Sequence, residues 1–316
     1  MKMDVAELKD KIVHEVEKAI IGKRDLLEKV ITAVFVNGHV LFEDNPGLGK
    51  TALVKCLAKA LGLEFKRIQF TPDLLPSDIV GGYIFNKEKG EFQLQKGPVF
   101  ANIILADEIN RASPKTQSAL LEAMEEQQIT IEGQKMSLPE PFVVFATQNP
   151  IEAEGTFPLP EAQLDRFIMK LSVGYPSLED EQKILSNRRN RKKEEFDINQ
   201  VTNLESILKA KQKIENVHVE ADLEKYIVQI IHQTRADTRV TIGASPRGSL
   251  AVLKLARAWA AIQKRNYVLP DDIKKFTISA LTHRLLLVPD LWMSKSAAVS
   301  VVEEALMKIS VPVFNN

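Results

Sequence analysis

The chain has 316 residues, 45% of them apolar, which is enough for about two domains with buried cores and excludes disorder as its main state. Its 42 basic and 42 acidic residues cancel, so no overall field gathers phosphate backbones or anionic lipid, which excludes a dedicated nonspecific nucleic-acid binder. The run Val30 to Phe42 holds Asn37, Gly38 and His39 and is too short to span a bilayer, the start Met1-Lys2-Met3-Asp4 has no apolar leader, and the single Cys56 forms no internal disulfide; a cytoplasmic protein is expected.

Charge divides unevenly along the chain. Residues 1–176 carry 20 basic and 25 acidic groups and residues 177–316 carry 22 and 17, so two pieces of opposite sign are predicted, parting after Tyr175-Pro176. In the first, the runs His39–Phe42, Phe65–Phe70, Ile103–Ala106, Phe142–Phe145 and Phe167–Val173 read as buried parallel strands. Helical spacing lies between them, in Leu53-Val54-Leu57-Ala58-Leu61 and Leu120-Leu121-Met124. Strand and helix therefore alternate as in a doubly wound parallel α/β sheet. Two hairpins with polar tips are predicted within it, Ile84-Phe85 with Phe92–Leu94 and Ile129–Ile131 with Met136–Leu138. From the capping box Ser177-Leu178-Glu179-Asp180 onward the pattern predicts helices only, near 178–191, 203–215, 220–236, 247–264, 270–282 and 296–309, so the second piece is a smaller α-helical domain.

The segment Leu41-Phe42-Glu43-Asp44-Asn45-Pro46-Gly47-Leu48-Gly49-Lys50-Thr51-Ala52 reads as strand, glycine-containing loop and helix start, the arrangement that cradles phosphate. Gly47 and Gly49 let backbone N–H groups turn inward, the helix presents its positive end, Lys50 supplies a charge and Thr51 a hydroxyl for Mg²⁺. Asp44 stands where such loops usually begin with glycine, and its carboxylate repels phosphate unless it points away. The strand Ile103–Ala106 empties into Asp107 and Glu108. Adjacent strand positions face opposite ways, so one carboxylate is expected to serve the Mg²⁺ shell and the other the attacking water as general base. Asn149, after the strand Phe142–Thr147, sits beside these carboxylates if the strands are neighbours, or is a turn residue before Pro150. Arg166 pairs with Asp165 or serves an anion, and Arg247, opening a helix where a cation opposes the dipole, favours an anionic partner.

Blander readings hold elsewhere. His14, His39, His218, His232 and His283 show no metal-ligand spacing, Cys56 is a packing residue, Arg188–Lys193 is a solvated helix end, and Trp259 and Trp292 read as core of the helical domain.

Assembled, these residues make the chain resemble the AAA+ ATPases, and within them the MoxR family, over almost its whole length. The stretches Glu43–Thr51, Ala106-Asp107-Glu108-Ile109-Asn110-Arg111-Ala112, Pro114–Glu126 and Thr147–Pro150 carry the likeness, and the pair Glu43-Asp44 is usual there. The resemblance implies a Walker A at Gly47–Thr51 with Pro46 and Ala52 flanking it, a Walker B at Asp107 and Glu108, sensor 1 at Asn149, sensor 2 at Arg247 and an arginine finger at Arg166. It implies an adenine-side segment at Ile20-Ile21-Gly22 and identifies the two hairpins with insertions lining the centre of a ring. It further implies ATP and Mg²⁺ as ligands, Thr51 and Asp107 holding the metal, hexameric rings, and chaperone-like remodelling of a protein client, often with a partner carrying a von Willebrand factor A domain. The expected function is Mg²⁺-dependent ATP hydrolysis between subunits, with Arg247 reaching the γ-phosphate from a moving helical domain. A nucleotide-gated assembly scaffold with little turnover and a DNA-dependent motor are the alternatives.

Overall fold

A computed structural model describes residues 4–149, 155–292, 294 and 296–312 of the chain; Met1 to Met3 and Pro150 lie outside the described residues. Helix α1 (Val5–Glu17) begins where the Asp4 side chain accepts a hydrogen bond from the Ala6 amide at 2.9 Å, and α2 (Arg24–Phe35) follows. The chain continues through β1 (Val40–Glu43), α3 (Lys50–Leu61), β2 (Phe65–Gln69), α4 (Pro76–Val80) and the hairpin of β3 (Gly81–Asn86) and β4 (Glu91–Lys96). Next come β5 (Ile103–Asp107), α5 (Pro114–Glu126), a second hairpin of β6 (Gln128–Ile131) and β7 (Gln134–Ser137), β8 (Val143–Gln148), α6 (Glu161–Leu164) and β9 (Met169–Leu171). Then α7 (Leu178–Arg191), α8 (Leu204–Glu215), α9 (Ala221–Ala236), β10 (Val240–Ile242), α10 (Pro246–Ile262), α11 (Pro270–Leu281), β11 (Leu286–Leu287) and α12 (Ala297–Lys308) complete it.

Five strands form one parallel sheet in the order β2-β5-β8-β1-β9. Period-two alternation divides its side chains between two apolar layers. Val40, Phe42, Ile103, Leu105, Val143 and Phe145 face α1, α2 and α3, while Leu41, Ile104, Ala106, Val144 and Ala146 face α5 and the region around α4. A strand covered on both faces needs apolar residues at every position, which is why the central strands were readable as continuous runs. Edge strand β2 is different: Lys66, Arg67 and Gln69 are exposed, so the expectation that the whole run 65–70 is buried is corrected.

The helical part shares the first layer's core. Helix α10 packs on α1 and α2, α11 packs on β9, and their buried residues are continuous with those beneath the sheet. At this junction the buried Arg284 guanidinium donates to Phe167 O at 2.7 Å, to Ala280 O at 2.8 Å and to both the carbonyl and the carboxylate of Asp165. His283 beside it hydrogen-bonds Phe167 O through Nε2 at 2.9 Å. Two expectations are corrected here. The region after residue 176 is not helices only, because β10 and β11 pair antiparallel; at three and two residues they are too short to show a period. Trp292 is 63% exposed rather than core, its indole N–H bonded to Leu287 O at 2.8 Å, whereas Trp259 is buried edge-on to Phe276.

Both hairpins are present in the expected register neighbourhood, and Tyr83 O–H of the first bonds Gln134 Oε1 of the second at 2.9 Å. The basic stretch 188–193 is the end of α7, which buries no residue; Arg188 pairs with Glu194, Lys193 with Asp197 at 2.7 Å, and Arg191 stacks over Phe196.

Candidate functional site

The loop between β1 and α3 is shaped by two left-handed residues, Gly47 at φ 83° and Gly49 at φ 82°. A Cβ at either would meet nothing within 4 Å, so it is backbone conformation and not crowding that requires glycine. Gly49 is the N-cap of α3 and brings no side-chain cap, which leaves the first amides of the helix and its positive end facing the loop. Pro46 and both glycines are exposed, Leu48 packs against the core, and Thr51 and Ala52 follow Lys50 in the first turn of α3.

Lys50 Nζ donates to Asp44 O at 2.9 Å and Asn45 O at 3.2 Å. Burial pushes its pKa below the usual lysine value, and the negative charges of Asp44, Asp107 and Glu108 oppose that shift. The ammonium thus lies where the loop and the end of β5 converge. The Asp44 side chain is turned away from the loop: Ser172 Oγ donates to its Oδ1 at 2.8 Å and the Val173 amide to its Oδ2. That meets the condition under which a carboxylate is tolerated there.

At the end of β5 Glu108 leaves the strand in the left-handed region at φ 56°, so the expectation that the two acids face opposite ways as successive strand residues is corrected: one face of β2 reaches both. Thr147 Oγ1, on neighbouring β8, donates to Asp107 Oδ1 at 2.7 Å and accepts the Glu108 amide at 2.8 Å. Arg67 on β2 reaches Asp107 Oδ2 through Nε at 3.1 Å and Nη2 at 2.7 Å. Its Nη2 also bonds Gln69 Oε1 at 2.7 Å, Gln69 Nε2 donates to Glu108 Oε2 at 2.8 Å, and Arg111 Nη1 reaches the same oxygen at 3.0 Å. Thr147, Arg67, Gln69 and Arg111 escaped the sequence reading. Arg67 and Gln69 share one face of β2, but only the β2-β5-β8 order puts that face beside the carboxylates. Asn149, buried, follows β8 directly, and β8 does neighbour β5 as its proposed placement requires.

Ile20, Ile21 and Gly22 form the turn between α1 and α2. Gly22 has φ 72°, and a Cβ there would lie 2.1 Å from the Asp180 carboxylate at the start of α7. Lys23 Nζ donates to Tyr175 O at 2.9 Å, and Asn45 Nδ2 of the loop to Tyr175 Oη at 3.3 Å, so this turn and the loop flank a common wall.

Arg166 and Arg247 lie together, and away from Lys50. With Glu125 they line a cavity of about 280 Å³ that also includes Asn37, Gly38 and His39, the residues entering β1 at the end opposite to the glycine loop. Arg166 Nη2 bonds Glu125 Oε2 at 2.7 Å, and Arg247 Nη2 bonds Glu125 Oε1. Asp165 is not the partner of Arg166; it accepts from Arg284 and, at 2.9 and 3.1 Å, from Ser245 Oγ, the N-cap of α10. The sequence-predicted residues therefore fall into two groups at opposite ends of the parallel strands, and Arg247 is in the group without Lys50, Thr51, Asp107, Glu108 and Asn149.

Comparison with known proteins agrees with this fold. The profile of the ATPase family associated with various cellular activities (AAA) matches residues 39–169, and that of the AAA lid domain matches residues 232–305. YeaC of Bacillus subtilis strain 168 is 47% identical over 98% of this chain and 97% of its own length. Chaperone MoxR1 of Mycobacterium tuberculosis is 39% identical over 97% and 83%, and MoxR of Methylorubrum extorquens is 28% identical over 87% of each chain. The crystal structure of a protein assigned as an ATPase from Cytophaga hutchinsonii superposes with a TM-score of 0.90 at 38% identity, covering 98% of this chain and 96% of that one. With its parallel sheet, helical lid and these relatives, the chain belongs to the MoxR family of AAA+ ATPases.

Proposed function

We propose that the chain binds ATP with Mg²⁺ at the glycine loop and hydrolyses it at the interface between adjacent subunits of a ring, using the cycle to remodel a protein client. The observation that carries this is the left-handed Gly47 and Gly49 before an uncapped helix start, with the Lys50 ammonium held on the loop carbonyls of Asp44 and Asn45 and within electrostatic reach of Asp107 and Glu108. Backbone amides of Gly47 to Thr51 and the Lys50 charge would hold the β- and γ-phosphates. The Thr51 hydroxyl and the Asp107 carboxylate are hard oxygen donors of the kind that suits Mg²⁺ and would hold it; the ion would neutralise charge on the phosphate oxygens. Glu108, turned off the strand, is the base for the attacking water, and Asn149 orients that water without adding charge. Ile20, Ile21 and Gly22 would border the adenine.

The separation of the two groups bears on the arginines. Arg166 and Arg247 sit at the end of the strands away from Lys50, which supports their acting on the triphosphate of a neighbouring chain and completing its site in trans. Arg247, read from the sequence as reaching the γ-phosphate from a moving helical domain, is assigned in this reading to the γ-phosphate of the neighbouring chain. The relative named a chaperone supports a protein client, and a hexameric ring, a division of the chain near residue 176 and a partner with a von Willebrand factor A domain belong to the same reading. At the end of α7, Arg188 and Lys193 are held by Glu194 and Asp197, which disfavours the reading as a motor on duplex DNA.

Mixing inactive Lys50→Ala and Arg166→Ala chains tests it. Partial recovery of ATPase activity in verified mixed assemblies is expected; none would leave no shared site.

A further inference from the structure

We propose that Glu125 is a stand-in for phosphate: it holds Arg166 and Arg247 in the lone chain and releases them when a neighbouring chain presents its nucleotide. The inference deepens the reading above, since it rests on both arginines acting on an adjacent subunit. Arg166 is clipped to the last turns of α5, with Nη1 on Leu121 O and Nη2 on Glu125 Oε2 at 2.7 Å. Arg247, at the start of α10, takes the other carboxylate oxygen. One anion thus bridges two cations from different parts of the fold, one oxygen to each, as two oxygens of a phosphate would. An arginine tethered to its own chain by these bonds cannot swing onto another chain's phosphate until they break.

Two observations favour exchange. Side-chain exposures of 32% for Glu125, 24% for Arg166 and 47% for Arg247 leave the triad open to an approaching anion. The cavity beside it holds more positive charge than it answers: Arg284 is matched by Asp165, which leaves Arg166, Arg247 and Lys254 facing the single carboxylate of Glu125. Lys254 lies two turns along α10 from Arg247 on the same face, and the buried Arg166 Nε and Asn37 Nδ2 have no hydrogen-bond partner among the described residues. A terminal phosphate brings more charge and an additional acceptor oxygen, so it satisfies donors that a carboxylate cannot.

Because Glu125 is on α5 and Arg247 on α10, the exchange also unfastens a link between the sheet and the helical part. Nucleotide arriving from outside would then permit both arginine engagement and movement of the lid. Hydrolysis removes the competing anion and lets Glu125 recapture them.

The test uses the full chain with Glu108→Gln to suppress turnover, and reads ATP-dependent assembly by sedimentation velocity across protein concentration. Adding Glu125→Gln should lower the concentration for half-assembly by about tenfold, the equivalent of one charge-assisted hydrogen bond no longer broken. The gain should vanish when Arg166→Ala is added, because no arginine is left to release. An unchanged or raised half-assembly concentration for Glu125→Gln, with Arg166→Ala impaired, would overturn the competition and make Glu125 a positioning residue. If Glu125→Gln does not fold, Glu125→Asp serves: a smaller shift in the same direction supports exchange, and the unmodified value opposes it. Failure of the underlying reading looks different, because Arg166→Ala would then assemble and turn over like the unmodified chain, withdrawing both.

Discussion

Thr147 and Asp107 are joined by a 2.7 Å hydrogen bond from hydroxyl to carboxylate, and the same hydroxyl accepts the Glu108 amide at 2.8 Å. One buried side chain therefore sets the orientation of both acids. Replacing it by the near-isosteric Val removes both bonds and leaves the Glu108 N–H without its partner. A stability loss of about 1–3 kcal/mol is expected by denaturant unfolding. ATPase turnover should fall together with it, and more than nucleotide affinity does. Unaltered turnover in Thr147→Val would remove the positioning role.

Glu108 is expected to be the general base, so Glu108→Gln should retain ATP affinity in calorimetry while lowering turnover by about a hundredfold or more. The amide keeps the size and can still bond Gln69 and Arg111, so folding should be unaffected. Wild-type turnover in this variant would assign the water-activating role elsewhere.

Arg67 presents a different case. Its guanidinium rests on Asp107 Oδ2, the carboxylate proposed for Mg²⁺, and a cation already there has to yield to the metal. The Arg67 side chain is 48% exposed, so solvent screens the pair and its worth is at most about 1 kcal/mol. Arg67→Ala should therefore reduce the Mg²⁺ needed for half-maximal ATP binding by about two- to fivefold. Calorimetric titration at a series of Mg²⁺ concentrations gives the answer; a higher requirement would mean that Arg67 holds Asp107 in place for the metal.

The contrast between these residues shows what the sequence could carry. Asp107 and Glu108 were legible because Ile103–Ala106 is apolar at every position, as burial on both faces demands, and ends abruptly in charge. The loop was legible because a short glycine spacing before a helix has one physical use at a phosphate. Arg67 and Gln69 were not, since they belong to an exposed edge strand whose neighbour is fixed only by the order of the sheet. Arg247 was recognised as a residue that seeks an anion, but its position at the other end of the strands from Lys50 depends on how α10 packs on α1 and α2. No local pattern encodes that packing.

Acid should destabilise the fold through its buried histidines. His39 donates from Nε2 to Met124 O at 3.1 Å and accepts the Val144 amide on Nδ1 at 3.0 Å, which fixes it as a neutral imidazole. Burial pushes its pKa down from 6.5 to about 4, against the weaker opposing pull of the Met124 carbonyl. Burial and the neighbouring Arg284 charge hold His283 well below its ordinary value too. In the unfolded chain both rings titrate near 6.5, so above that pH neither state binds the proton and the contribution is fully present. As pH falls below about 6.5 the unfolded chain takes up protons that the folded chain refuses, and stability declines until His39 itself titrates near pH 4. The shift at His39 corresponds to a loss on the order of 3 kcal/mol across that window. Urea unfolding between pH 7.5 and 4.5 should show the decline beginning near 6.5, above the range where carboxylates titrate. In His39→Asn, where the amide oxygen can still accept from Val144, the slope should be shallower even though stability at pH 7.5 is lower. Parallel slopes in the two proteins would exclude His39 as a source of the acid sensitivity.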